Sequence, residues 1–171
     1  MLRPFFGLLL CTMGLPECAE ALTVTTKTFA VGATITPGCS VTSGSGGVLG
    51  TLNFGTHTGA ESGQISTSFV PHASFSLACT PGVTLSMNID RGLYSTTVRN
   101  MQRSGGTQQV PYRLYSSSSL AANSEIGLNQ SVPVSFTDAN NIALTLFAAA
   151  QLTALSTAGT YTDQLAVTLS W

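Results

Sequence analysis

The chain has 171 residues, of which 43% are hydrophobic and only 8% charged, with a mean hydropathy of +0.30 and a formal net charge of −1. At this length one domain is expected, and the apolar content excludes a disordered chain. Six Lys and Arg against seven Asp and Glu leave no basic stripe, so no nucleic-acid partner is expected.

In chain order, a targeting segment comes first. Arg3 supplies a short positive start, Phe5 to Leu15 form an apolar run too short to span a bilayer, and Ala19-Glu20-Ala21 is an A-x-A cleavage pattern. Residues 1–21 are predicted to be a signal peptide and residues 22–171 a single domain. Removal of Arg3, Glu17 and Glu20 would leave five charges of each sign. Cys11 and Cys18 leave with the signal, and Cys39 and Cys79 reach an oxidising compartment as an isolated pair, which predicts a disulfide. Closing a loop of about 40 residues contributes about 4 kcal/mol in the chain-entropy model. His57 and His72 lack zinc-ligand spacing relative to these cysteines, so no metal is expected.

Residues 22–35 are Thr-rich and β-prone, long for one strand, and their parity shifts. Leu22 and Val24 are even, whereas Phe29, Val31, Ala33 and Ile35 are odd. Two readings stand. The segment is an edge strand or frayed terminus of its own sheet, or it is an arm (22–31) followed by a first core strand. Such an arm could add to the open edge of another subunit.

Alternation then recurs. Phe75, Leu77 and Cys79 share one face and end at Thr80-Pro81-Gly82. Leu85, Met87 and Ile89 end at Asp90-Arg91-Gly92. Val110, Tyr112 and Leu114 precede a run of serines, and Val132, Val134 and Phe136 precede Asp138 to Asn141. Asn141 to Ser156 is Ala- and Leu-rich, but Leu144, Leu146, Ala148, Ala150 and Leu152 alternate, and a strand is predicted. The clearest case is the last: Tyr161, Leu165, Val167, Leu169 and Trp171 form one apolar face of a single strand running to the final residue. Several short strands separated by turn signals predict an all-β sandwich. Asp90, Arg91, Arg99, Arg103, Arg113 and Asp163, which include most of the charges after residue 21, are read either as partner contacts or, as the simpler expectation, as solvated or rim positions worth little individually.

No catalytic or cofactor-binding set is predicted. There is no G-x-S-x-G, and His57 lies in a loop-like Gly55-Thr-His-Thr-Gly59, so neither an enzyme nor a small-molecule substrate is expected.

The motifs and their order resemble the spore coat protein U domain family, which includes subunits of archaic, Csu-type chaperone–usher pili. The resemblance rests on Phe29-x-Val31-x-Ala33-x-Ile35, Cys39-x-Val41, Leu52-Asn53-Phe54-Gly55 and Ser76-Leu77-Ala78-Cys79-Thr80-x-Gly82. It continues through Arg99-Asn100-Met101, Pro111 to Tyr115, and the ending Gly159-x-Tyr161-x-Asp163-x-Leu165-x-Val167-x-Leu169. It departs at Leu146 to Ala149, where a Gly is usual in the family, and at Trp171, where Tyr or Phe is usual.

The resemblance implies an immunoglobulin-like Greek-key sandwich lacking its last strand, with an extended N-terminal donor segment. The vacancy would be filled first by a periplasmic chaperone and then by the arm of the next subunit, with an outer-membrane usher exporting the fibre to the cell surface. Leu22, Val24, Phe29, Val31 and Ala33 are then the donor-arm candidates, and Tyr161, Leu165, Val167, Leu169 and Trp171 the strand facing the groove. The alternatives are a secreted sandwich that binds glycan or matrix without polymerising, and a secreted hydrolase.

Overall fold

The structure is a computed structural model that describes residues 30–43, 48–71 and 76–171. The expected signal peptide, the arm residues Leu22, Val24 and Phe29, the Gly/Ser loop 44–47, His72 and Phe75 lie outside the described residues.

By internal contacts the chain divides into Met1–Thr34 and Ile35–Trp171. In the first unit the described residues 30–34 form no strand and are exposed, Val31 at 85%. The alternation of Val31, Ala33 and Ile35 therefore does not produce a first core strand, because a strand needs a paired edge and these residues have none among the described residues.

The second unit is all-β. Among the described residues it has no α-helix, one 3-10 turn at Ala122–Ser124 and thirteen short strands, all paired antiparallel. These are β1 (Cys39–Ser43), β2 (Gly50–Thr51), β3 (Gly63–Ser68), β4 (Val70–Pro71), β5 (Ser76–Cys79), β6 (Leu85–Ile89) and β7 (Arg99–Arg103). There follow β8 (Gln109–Tyr115), β9 (Glu125–Ile126), β10 (Ser131–Val134), β11 (Phe147–Leu152), β12 (Tyr161–Thr162) and β13 (Val167–Ser170). One sheet runs β12-β7-β8-β11-β3 with β9 beside β8; a second runs β10-β6-β13; β1 pairs β5 and β2 pairs β4.

The two larger sheets face each other through their alternating apolar residues. Met87 and Ile89 of β6 pack with Val110, Tyr112 and Leu114 of β8 and Ala148 and Ala150 of β11 in one buried cluster. A second cluster holds Leu77, Cys79, Leu85, Ile142 and Leu144. This is a β-sandwich, built on the strands whose period of two is clearest. Cys39 and Cys79 stand opposite one another in the β1–β5 pair and are joined by a disulfide.

Two predicted strands are built differently from expectation. In 141–156 the regular ladder covers only Phe147–Leu152. The alternation still begins earlier, with Ile142, Leu144 and Leu146 each under 5% exposed, because this stretch threads from the second cluster to the first. Its backbone is satisfied irregularly, Ile142 N–H donating to Leu77 O at 2.9 Å and Leu146 O accepting from Phe69 N–H at 2.8 Å. The C-terminal segment is not one strand. Its first part, β12, pairs with β7 in the large sheet, and its last, β13, pairs with β6 in the three-stranded sheet. One parity survives the crossing at 163–166, since both pieces turn the same residues inward.

Candidate functional site

β13 has β6 on one side and, among the described residues, no strand on the other. The ladder's phase shows what this edge offers. Asp90 N–H donates to Ala166 O at 3.0 Å, so Ala166 faces β6. In an antiparallel pair the direction alternates, so Thr168 and Ser170 bond to β6, and the N–H and C=O of Val167 and Leu169 point away from it. Their side chains point into the first core cluster but are only partly buried, while Ile89 and Met87, their partners in register, are 0% and 4% exposed. The strand thus combines unpaired backbone groups with an incompletely covered apolar face. It carries no charge and no proline.

A polar cluster fixes where this strand begins. Asp163 accepts the Tyr112 hydroxyl at 2.7 Å on one oxygen, and the N–H groups of Leu93 and Gln164, each at 2.9 Å, on the other. Burial and the Asp163 carboxylate push the Tyr112 phenol up, so it stays a donor. Asp90 accepts the N–H of Gly92 at 3.1 Å and of Ala166 at 3.0 Å. Gly92 has φ +76°, and a Cβ there would overlap the Asp163 carboxylate, so both conformation and space call for glycine. Arg99 lies behind the turn, 2% exposed. Its guanidinium donates to the carbonyls of Asp90, Ile89, Ile126 and Gly127 at 2.8–3.0 Å, and burial pulls its pKa down.

These placements correct the expectation that Arg99 and Asp163 are solvated rim charges. A buried Arg is tolerated here because four carbonyls take its N–H groups, and a charge satisfied in that way cannot be told from a surface charge by residue type. One signal was present: Asp163 is the only charged residue after Asp138. Asn100, 5% exposed, was also missed; its amide closes the loop before β7 by donating to Tyr94 O and Val98 O.

Of the residues predicted to face a groove, Leu165, Val167 and Leu169 line the first cluster at its half-buried margin. Tyr161 packs against the same cluster but from the other sheet, in β12 opposite Arg103, with its hydroxyl bonded to Thr157 O at 2.7 Å. Trp171 is 60% exposed, and its indole Nε1 lies over Gly38, just before β1. His57 is held within its own loop, Nδ1 3.0 Å from Glu61 and Nε2 2.8 Å from Phe54 O. No group of three or more potential metal ligands occurs among the described residues.

Among solved structures, the chain is similar to the CsuC–CsuE chaperone–tip adhesion subunit pre-assembly complex from the archaic chaperone-usher Csu pili of Acinetobacter baumannii, at 16% identity and a TM-score of 0.47. That match covers 81% of this chain and 41% of the other, so the chain spans less than half of the structure it resembles. No curated protein matches. The family model of the Spore Coat Protein U domain matches residues 25–168, and the chain belongs to the Spore Coat Protein U domain family.

Proposed function

We propose that the chain is a structural subunit of an exported surface fibre, and that the open edge of β13 is where it receives a strand from another molecule. The observation that carries this is the outward-pointing N–H and C=O groups of Val167 and Leu169 above a half-covered core. An extended segment added there would pair its main chain with these groups and bury alternate side chains. The N-terminal arm is the donor, through Leu22, Val24, Phe29, Val31 and Ala33, and the high exposure of Val31 supports this reading.

At about 1.5–3 kcal/mol for each large apolar side chain, three or four insertions give roughly 5–10 kcal/mol before entropic costs. The contact is head-to-tail, so it propagates instead of closing. Residues 1–21 direct export. A periplasmic chaperone covers the edge before assembly, since an uncovered edge invites aggregation, and an outer-membrane usher passes the subunits to the cell surface. Adhesion or biofilm formation is the role such a fibre serves.

The test is electrophoresis of unboiled samples. An ordered ladder that collapses to monomer on heating is expected, and deletion of residues 22–31 should abolish the ladder. A deletion variant that still forms it, or a wild type that is monodisperse and binds glycan, would count against the fibre in favour of a secreted binding module.

A further inference from the structure

We propose that Asp90 and Asp163 are positioning residues that hold β13 in register with β6 while its outer edge is empty, so that the acceptor edge exists before a strand reaches it. This rests on the reading of that edge as a strand acceptor.

β13 has only four residues and, among the described residues, one neighbouring strand. A slip of one residue would turn Val167 and Leu169 to solvent, and no described strand on the open side resists it. The fixing points lie upstream. In a regular rung the Ala166 N–H would donate to the Asp90 carbonyl, but that carbonyl is occupied by Arg99 Nε at 2.9 Å. The Asp90 carboxylate takes its place and accepts the Ala166 N–H, while the Asp90 N–H donates to Ala166 O. Ala166 is therefore bound at both backbone groups to one residue, whose own carbonyl is anchored to a buried guanidinium. Three residues earlier, Asp163 ties the crossing segment to β8 through Tyr112 and to the β6–β7 loop through Leu93. The crossing is clamped at both ends against different sheets. Neither clamp uses the outward-facing groups of β13, so an incoming strand would not have to displace them.

The experiment uses the full-length chain and a synthetic peptide of residues 22–35. It reads amide exchange at Thr168 and Ser170, the rate of peptide uptake and global stability. Asp90→Ala and Asp163→Ala should each raise exchange at these two amides, and slow uptake, by about tenfold or more. Asp90→Asn, which keeps an acceptor oxygen in place, should restore both. Ile142→Val, in the second core cluster, lowers global stability without touching the clamp and should leave both local readouts unmoved. If the alanine variants fail to fold, Tyr112→Phe removes the hydroxyl bond alone and should raise exchange at Thr168 by a few-fold.

Wild-type exchange and uptake rates in the alanine variants would overturn the proposal, as would equal slowing by Ile142→Val. A wild type that neither forms the ladder nor takes up peptide defeats the acceptor reading, while the exchange measurements still decide the clamp.

Discussion

The three-stranded sheet has two edges, and they differ. Both β10 and β13 lie against β6, both are four residues long, and both turn two half-buried apolar side chains inward, Val132 and Val134 on one and Val167 and Leu169 on the other. Asn129 N–H donates to Ile89 O at 3.2 Å, which sets the phase of the β10 ladder, so Ser131 and Pro133 have their backbone groups on the open side. Pro133 has no N–H to offer there, a common way of blunting an edge. The open side of β13 presents Val167 and Leu169 with every donor intact. From the same neighbour and a similar apolar pattern, the sequence makes one edge poor at pairing and leaves the other available.

Arg99 serves both edges, since it holds Ile126 and Gly127 on the approach to β10 and Ile89 and Asp90 on the approach to β13. Its removal should give the largest effect and erase the contrast. Arg99→Ala leaves buried carbonyls unsatisfied and should cost about 3–5 kcal/mol in denaturant unfolding, loosening exchange at both edges together. Loosening at β13 alone would show that the β10 edge is held by other means.

Exchanging the two edges' chemistry is the next test. Val167→Pro removes an outward N–H without touching the β6 ladder, so the chain should fold while the oligomer ladder disappears. Pro133→Val restores the missing donor on β10 and should add side-to-side association to the linear ladder. An unchanged ladder in Val167→Pro would move the acceptor site elsewhere. A milder version truncates one inward side chain on each edge. Leu169→Ala and Val132→Ala should each cost the isolated chain about 1–2 kcal/mol, less than a full core truncation because both are half-buried. In assembled material only Leu169→Ala should become more costly, read as a lower dissociation temperature of the ladder.

How much of this was legible in the sequence depended on whether packing or pairing was at stake. Leu85, Met87 and Ile89 were readable because burial on one face imposes a period of two, and Cys39 and Cys79 because assigning Cys11 and Cys18 to a signal peptide left only that pair to join. The same period concealed the sheet switch at 163–166, since parity continues through a crossing and says nothing about which neighbour a strand takes. β3, Gly63–Ser68, was missed for the opposite reason: it is polar apart from Ile65, and its place is set by its backbone pairing with β11. The clamp was illegible because it depends on residues far apart in sequence, Asp90 with Ala166 and Tyr112 with Asp163. Pro133 was visible throughout, but its meaning waited on the ladder's phase.

The smallest expected effect concerns a site with no bond to either edge. His57 lies within hydrogen-bond distance of Phe54 O and Glu61 in its loop; only the protonated ring donates to both, so these two bonds, the carbonyl first, raise its pKa above 6.5. A group whose folded pKa is raised stabilises the fold fully below its unfolded pKa and loses that contribution as pH rises through the folded one. The stability difference between wild type and His57→Ala should therefore be present below 6.5 and shrink toward zero above it. Because the ring is exposed, the difference should be small and sensitive to salt. Over the same pH range, exchange at Thr168 and Ser170 should change only by the intrinsic dependence of amide exchange on pH. A further change that follows the His57 titration would mean that this loop communicates with the open edge, and the two edges could then no longer be treated as differing only in their own residues.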